Sequence, residues 1–61
     1  MSSDEIIKLI RDDGWRSIAR TAGSHIQFRH PHKKGRVTIP TGVKDLPKGT
    51  INSILKQAGL K

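Results

Sequence analysis

The chain has 61 residues, no cysteine and a net charge of +7. A length of this order makes one domain, 1–61, burying only about 60% of the surface its unfolded chain exposes; that excludes a deep pocket or a dedicated cofactor fold. The missing cysteines exclude a disulfide framework and a cysteine zinc site, which suits a cytoplasmic protein, and no apolar run or basic leader suggests a membrane span or a secretory signal.

The charge is unevenly placed. Residues 1–14 carry four acids against two bases, whereas residues 15–61 carry ten bases against Asp45 alone. A basic body of this size attracts polyanions by counterion release and long-range steering. Solubility is the ordinary alternative, but the size of the excess and its confinement to one part of the chain favour nucleic acid. A membrane surface would call for a basic amphipathic helix, and the first helix is acidic.

In chain order, Ser2-Ser3-Asp4-Glu5 opens a helix with capping-box spacing, and its two acids suit the positive end of the helix dipole. Ile6, Ile7, Leu9 and Ile10 form its apolar stripe, and Gly14 is placed to end it in a left-handed conformation. Trp15 to Arg20 reads as a strand. Trp15 and Ile18 have opposite parity, so either Trp15 precedes the strand or the strand carries a bulge. Thr21-Ala22-Gly23-Ser24 reads as a turn, in which Gly23 supplies the geometry that aims the next residue.

The second strand, His25 to His30, alternates clearly. Ile26 and Phe28 point inward, and His25, Gln27 and Arg29 point outward. His30 has the wrong parity to share that outer face, which marks it as structural. Pro31 to Gly35 is a basic loop. Arg36 to Ile39 is a third strand with Val37 and Ile39 inward and Arg36 and Thr38 outward. Pro47 suits the first turn of a closing helix, in which Ile51, Ile54, Leu55 and Ala58 make a core-facing stripe and Gly59-Leu60 a cap. The order is α-β-β-β-α, an α+β domain whose three-stranded antiparallel meander shows one face to both helices.

The other face is where chemistry is expected. It carries His25, Gln27, Arg29, Arg36 and Thr38, with Lys33 and Lys34 at its edge. RNA brings its own nucleophile, the 2′-OH, next to the phosphate it attacks. A base to take that proton and cations to stabilise the transition state complete the set, with no metal or small-molecule cofactor. Imidazole suits the first task and guanidinium groups the second. Taken on spacing alone, His25 reads more readily as a polar residue at a strand start. Three histidines without cysteine or close acids make a poor metal site. Ser24 in the turn and Lys48 at the last helix start are further phosphate contacts, although a plain turn serine and a plain helix start are the commoner readings. His32 in the basic loop reads as a solvated bystander.

The ordered motifs Gly14-Trp15, Gly23-Ser24-His25, Gln27-Phe28-Arg29-His30-Pro31, Val37-Thr38-Ile39-Pro40, Leu46-Pro47-Lys48-Gly49-Thr50 and Ile54 to Leu60 resemble the HicA toxin family across nearly the whole chain. The resemblance implies a double-stranded-RNA-binding-domain-like fold. It implies a metal-independent messenger-RNA interferase whose catalytic histidine follows Gly-Ser, which is His25 here, and a HicB-like antitoxin that covers His25. Two rivals are a non-catalytic double-stranded-RNA-binding module, to which Lys44 and Lys48 would contribute, and a small basic ribosome-associated protein that binds RNA without turnover.

Overall fold

A computed structural model describes residues 1–21 and 24–61 of the chain. Helix α1 spans Ser3–Asp12, strands β1, β2 and β3 span Arg16–Thr21, His25–Arg29 and Val37–Pro40, and helix α2 spans Lys48–Gln57. The sheet is antiparallel in the order β1-β2-β3. The α-β-β-β-α order read from periodicity is therefore the order observed.

Local chemistry sets the ends of α1. The Glu5 amide donates to Ser2 Oγ at 3.1 Å and the Ser2 amide donates to Glu5 Oε1 at 2.9 Å, a reciprocal capping box. At the other end Gly14 takes φ +111°. Its amide donates to the Arg11 carbonyl, and the Trp15 amide donates to the Ile10 carbonyl. This pairing satisfies the last carbonyls of the helix and carries Trp15 straight into the core. The closing helix ends the same way, with Gly59 bonded to Lys56 and Leu60 to Leu55. Pro47 is the residue before α2, which starts one position later than the sequence suggests.

The core contains Ile6, Ile10, Trp15, Phe28, Val37, Ile39, Leu46, Ile54 and Ala58, with Ile7, Ile26, Ile51 and Leu55 packed against it. Leu9 departs from its expected place in the stripe and is exposed. The buried line of α1 runs through Ser3, Ile6 and Ile10, and Leu9 lies farther round the helix from that line than Ile7 does. Ser3 is the buried polar residue of the helix. Its hydroxyl donates to the Pro40 carbonyl at 2.6 Å and accepts from the Val43 amide at 3.1 Å, which fastens α1 to the end of β3. Both bonds are partly shielded from water, and the Ser3 side chain that makes them is buried, so losing them costs more than at an open surface.

A polar cluster ties the far ends of the helices together. His30 is nearly buried and packs edge-on against Trp15. Its Nδ1 accepts from the amides of His32 and Lys33, so its proton sits on Nε2 and is donated to the Asp13 carbonyl at 2.7 Å. Lys33 Nζ pairs with the Asp13 carboxylate and donates to the Ala58 carbonyl at the end of α2. The structural role expected of His30 is the one found.

The hydrogen bond from Lys33 holds the Asp13 carboxyl below the usual carboxylate range, against a smaller opposing effect of desolvation. A lowered pKa in the folded state adds stability that is complete above the unfolded value, about 3.9, and lost as pH falls through the folded value. Asp13→Asn should therefore destabilise at neutral pH and lose its penalty progressively as pH falls below the unfolded value of about 3.9. Thermal melts of both proteins at several pH values test this. A gap that stays constant from neutral to strongly acidic pH would refute it.

Candidate nucleic-acid interface

The sheet has a helix-covered face and an open one. Cross-strand neighbours share a face and alternate residues share a face along each strand, so pairing places the open side chains. His25 lies opposite Thr21 and Pro40, Gln27 opposite Ala19 and Thr38, and Arg29 opposite Arg16. His25, Gln27 and Arg29 are thus on the open face, with Ile26 and Phe28 turned toward the core.

His25 is exposed at the first position of β2. The backbone just before it is fixed from the far edge of the sheet. The Ser24 carbonyl accepts from the Thr41 amide at 2.6 Å and from Thr41 Oγ1 at 3.0 Å. These two hydrogen bonds from the residue after β3, together with the His25–Pro40 pairing, hold the entry to β2 from one side. The expected role of Gly23 falls outside the described residues.

Arg36 precedes β3, one residue outside the strand expected for it, yet it reaches the same face. Its Nη1 donates to Gln27 Oε1 at 3.4 Å. Ser24 and Lys34 are exposed beside the two ends of this surface, in the turn and in the 30–36 loop. Lys48 starts α2, in the helix layer rather than on the open strands. Lys33 differs from the rest of the expected phosphate-binding set. Its ammonium is held between Asp13 and the end of α2, on the side of His30 and Trp15. His32 lies beyond the end of β2 opposite to His25, so the strand itself separates the two histidines.

Arg16 is a member of the open face that parity along the chain does not reveal. In a regular strand Arg16 and Arg20 would share a side. Between Ser17 and Ala19 the register shifts by one, so Arg16 pairs with outward Arg29 while Arg20 pairs with inward Ile26. Both alternatives raised by the parity of Trp15 and Ile18 occur together: Trp15 precedes the strand, and the strand is bulged. A shallow groove of about 310 Å³ lined by Arg11, Ser17, Ile18, Ala19, Arg20 and Ile26 opens at the β1 edge. Arg20 and Ile26 put it on the helix side of the sheet, away from His25.

The open face can therefore offer an imidazole at one end of β2 and guanidinium groups at the other, spaced along about 13 Å of strand. That is a surface for an extended polyanion and not a pocket for a small molecule. Among the described residues no three His, Cys, Asp or Glu side chains come together as metal ligands, and no helix is long and apolar enough to cross a membrane.

Comparison with known proteins gives a consistent picture. A family model described as "HicA toxin of bacterial toxin-antitoxin" matches residues 3–60. Among solved structures, the chain is similar to one in a toxin–antitoxin complex from Streptococcus pneumoniae, with 37% identity, a TM-score of 0.81 and 98% of each chain covered. It is likewise similar to a chain of a HicA3 and HicB3 toxin–antitoxin complex, with 34% identity, a TM-score of 0.81, and coverage of 100% of this chain and 97% of that one. A comparison with curated protein sequences finds no match.

Proposed function

The chain belongs to the HicA toxin family of bacterial toxin–antitoxin systems, and from that premise we propose that it is a metal-independent endoribonuclease that cuts messenger RNA with His25 as general base. The observation that carries this reading is the exposed imidazole at the start of β2, on one open face with Gln27, Arg29 and Arg36. The neutral imidazole takes the proton of the 2′-OH, and the 2′-oxygen attacks the adjacent phosphorus. The bond from phosphorus to the 5′-oxygen breaks, and that oxygen leaves as a hydroxyl on taking up a proton. A 2′,3′-cyclic phosphate remains. Arg29, Arg36 and Lys34, with the Ser24 hydroxyl and the Gln27 amide, are the groups proposed to hold the phosphates; Lys48, in the helix layer, would meet only RNA that extends beyond this face. Those cations that reach the scissile phosphate stabilise the extra negative charge of the transition state, and those farther along the strand hold the RNA in place. Lys33 would join them only by leaving Asp13 and Ala58.

The mechanism fixes the products. Cleavage should survive EDTA, leave a 2′,3′-cyclic phosphate or its 3′-phosphate hydrolysis product, and fail on RNA carrying 2′-O-methyl at the cut site. End-group analysis of the fragments decides it. A 5′-phosphate product, or activity restored only by a divalent cation, would contradict the assignment. Tight RNA binding with no cleavage would instead favour a non-catalytic binding module.

The partner follows from the same face. Covering Arg29 and Arg36 with a basic or apolar surface would leave buried charges unpaired, which is costly. We infer that a HicB-like antitoxin brings Asp or Glu to this face and covers His25, competing with RNA phosphates in the cytoplasm. Association should be fast and should slow as salt rises. Arg29→Glu and Arg36→Glu should each weaken antitoxin binding and RNA cleavage together. Unchanged antitoxin affinity in both variants would place the inhibitory surface elsewhere.

A further inference from the structure

We propose that Arg16 and Arg29 form a two-guanidinium clamp on one backbone phosphate of bound RNA, a different phosphate from the one that is cut. The proposal rests on the reading of this face as an RNA surface, and it adds Arg16 to that surface.

Three observations point to it. The first is register: Arg16 and Arg29 are directly opposed across β1 and β2. Opposed side chains in such a pair have Cβ atoms about 5 Å apart and lie on one face, here the face of His25. The second is the bulge. By shifting the register between Ser17 and Ala19 it separates Arg16 from Arg20, giving the open face the first and the groove side the second. The third is electrostatic. Two like charges directly opposed in a sheet destabilise it. Both arginines are exposed, and among the described residues neither takes part in an ion pair. A single phosphate between them would accept from both forks and remove the repulsion.

Distance sets what the clamp can do. Arg29 is four residues from His25 along β2, about 13 Å of backbone, so a phosphate seated directly between Arg16 and Arg29 is not the one beside His25. Its effect therefore falls on RNA binding and on the register in which the strand crosses His25, not on the chemical step. Arg36, bonded to Gln27 midway along β2, stands between the two sites.

The test uses the full chain carrying His25→Ala, so that RNA stays intact while binding is measured. Affinity for a single-stranded RNA is titrated across a salt series for this protein and for the same protein with Arg16→Ala, Arg29→Ala or both. One phosphate held by two arginines predicts that each single change lowers affinity about tenfold. It also predicts that the double change reduces the slope of log affinity against log salt by about 0.7, the loss of one neutralised phosphate, and that neither single change reduces it by more than that. Loss of net charge alone cannot give that ceiling. Thermal stability of Arg16→Ala should be equal to or above the parent, because an unfavourable pair has been removed. Additive slopes near 1.4 in the double variant would overturn the clamp in favour of two independent contacts. Unchanged RNA affinity in Arg16→Ala would also overturn it, whether or not antitoxin binding changes. Since the readout is binding, failure of the clamp is distinguishable from failure of His25 as the catalytic residue, which is read from cleavage by the wild-type chain.

Discussion

His25→Ala should abolish RNA cleavage and growth toxicity while leaving the fold intact. The two halves of that expectation come from different facts. His25 is exposed at the first position of β2 and lies on the face away from the core, so truncating its side chain leaves the core packing in place. Surface changes of that kind usually move stability by less than about 0.5 kcal/mol. The strand entry survives as well, because it is held by the Ser24 carbonyl bonded to Thr41 and by the pairing with Pro40, both backbone features. Removal of a general base, by contrast, typically costs on the order of 10²–10⁴ in rate. Arg29 and Arg36 would still bind RNA, so the variant should bind substrate with nearly parental affinity and turn it over at a small fraction of the rate. Single-turnover cleavage with saturating protein separates those effects. A folded variant, expressed to the parental level, that remained toxic or cut RNA at more than about a tenth of the parental rate would remove His25 from the mechanism.

How much of this was legible in the residues depends on how local each signal is. The stripe of Ile51, Ile54, Leu55 and Ala58 repeats at helical spacing and is the face of α2 that packs on the core. The capping box at Ser2 and Glu5 and the glycine stop at Gly14 are settled within a few residues of backbone. His30 betrayed its structural role by parity alone. Arg16 could not be assigned to a face, because the sequence shows that Trp15 and Ile18 conflict without showing which residue the bulge absorbs. Lys33 looks like one more cation of a basic loop. Its partners, Asp13 and the carbonyl of Ala58, are 20 and 25 residues away, and no local pattern announces them. Ser3 is the same case in miniature: a second serine at a helix start, buried because the end of β3 closes over it. The open face itself was legible because β2 is regular, and the chemistry expected of His25 came from family resemblance and not from spacing.

Gly14→Ala should destabilise the domain by about 2–5 kcal/mol, from two causes that add. The first is the backbone. Gly14 sits at φ +111°, where an L side chain is strained, and a residue forced toward the left-handed side costs roughly 1–2 kcal/mol. The second is space. A Cβ on Gly14 would lie 2.7 Å from Nε2 of His30 and 3.2 Å from its Cδ2, inside contact distance for both. The ring cannot simply swing aside. Trp15 packs against it with centroids 5.3 Å apart, its Nε2 donates to the Asp13 carbonyl, and its Nδ1 accepts from two amides of the following turn. Displacing it leaves nearly buried polar groups without partners, at roughly 1–3 kcal/mol. A chain of 61 residues has a total stability of roughly 3–9 kcal/mol, so the loss takes much of it. Gly35→Ala is the control, because Gly35 has φ +84° with nothing within 4 Å of its added Cβ and should incur only the backbone part. Urea unfolding of both variants measures the difference. Gly14→Ala should be the less stable by the contribution of His30, while cleavage per folded molecule stays near parental, since His25 is at the opposite end of β2. Equal destabilisation of the two variants would show that the ring gives way at no cost and that the polar cluster around His30 does not hold α1 to the sheet.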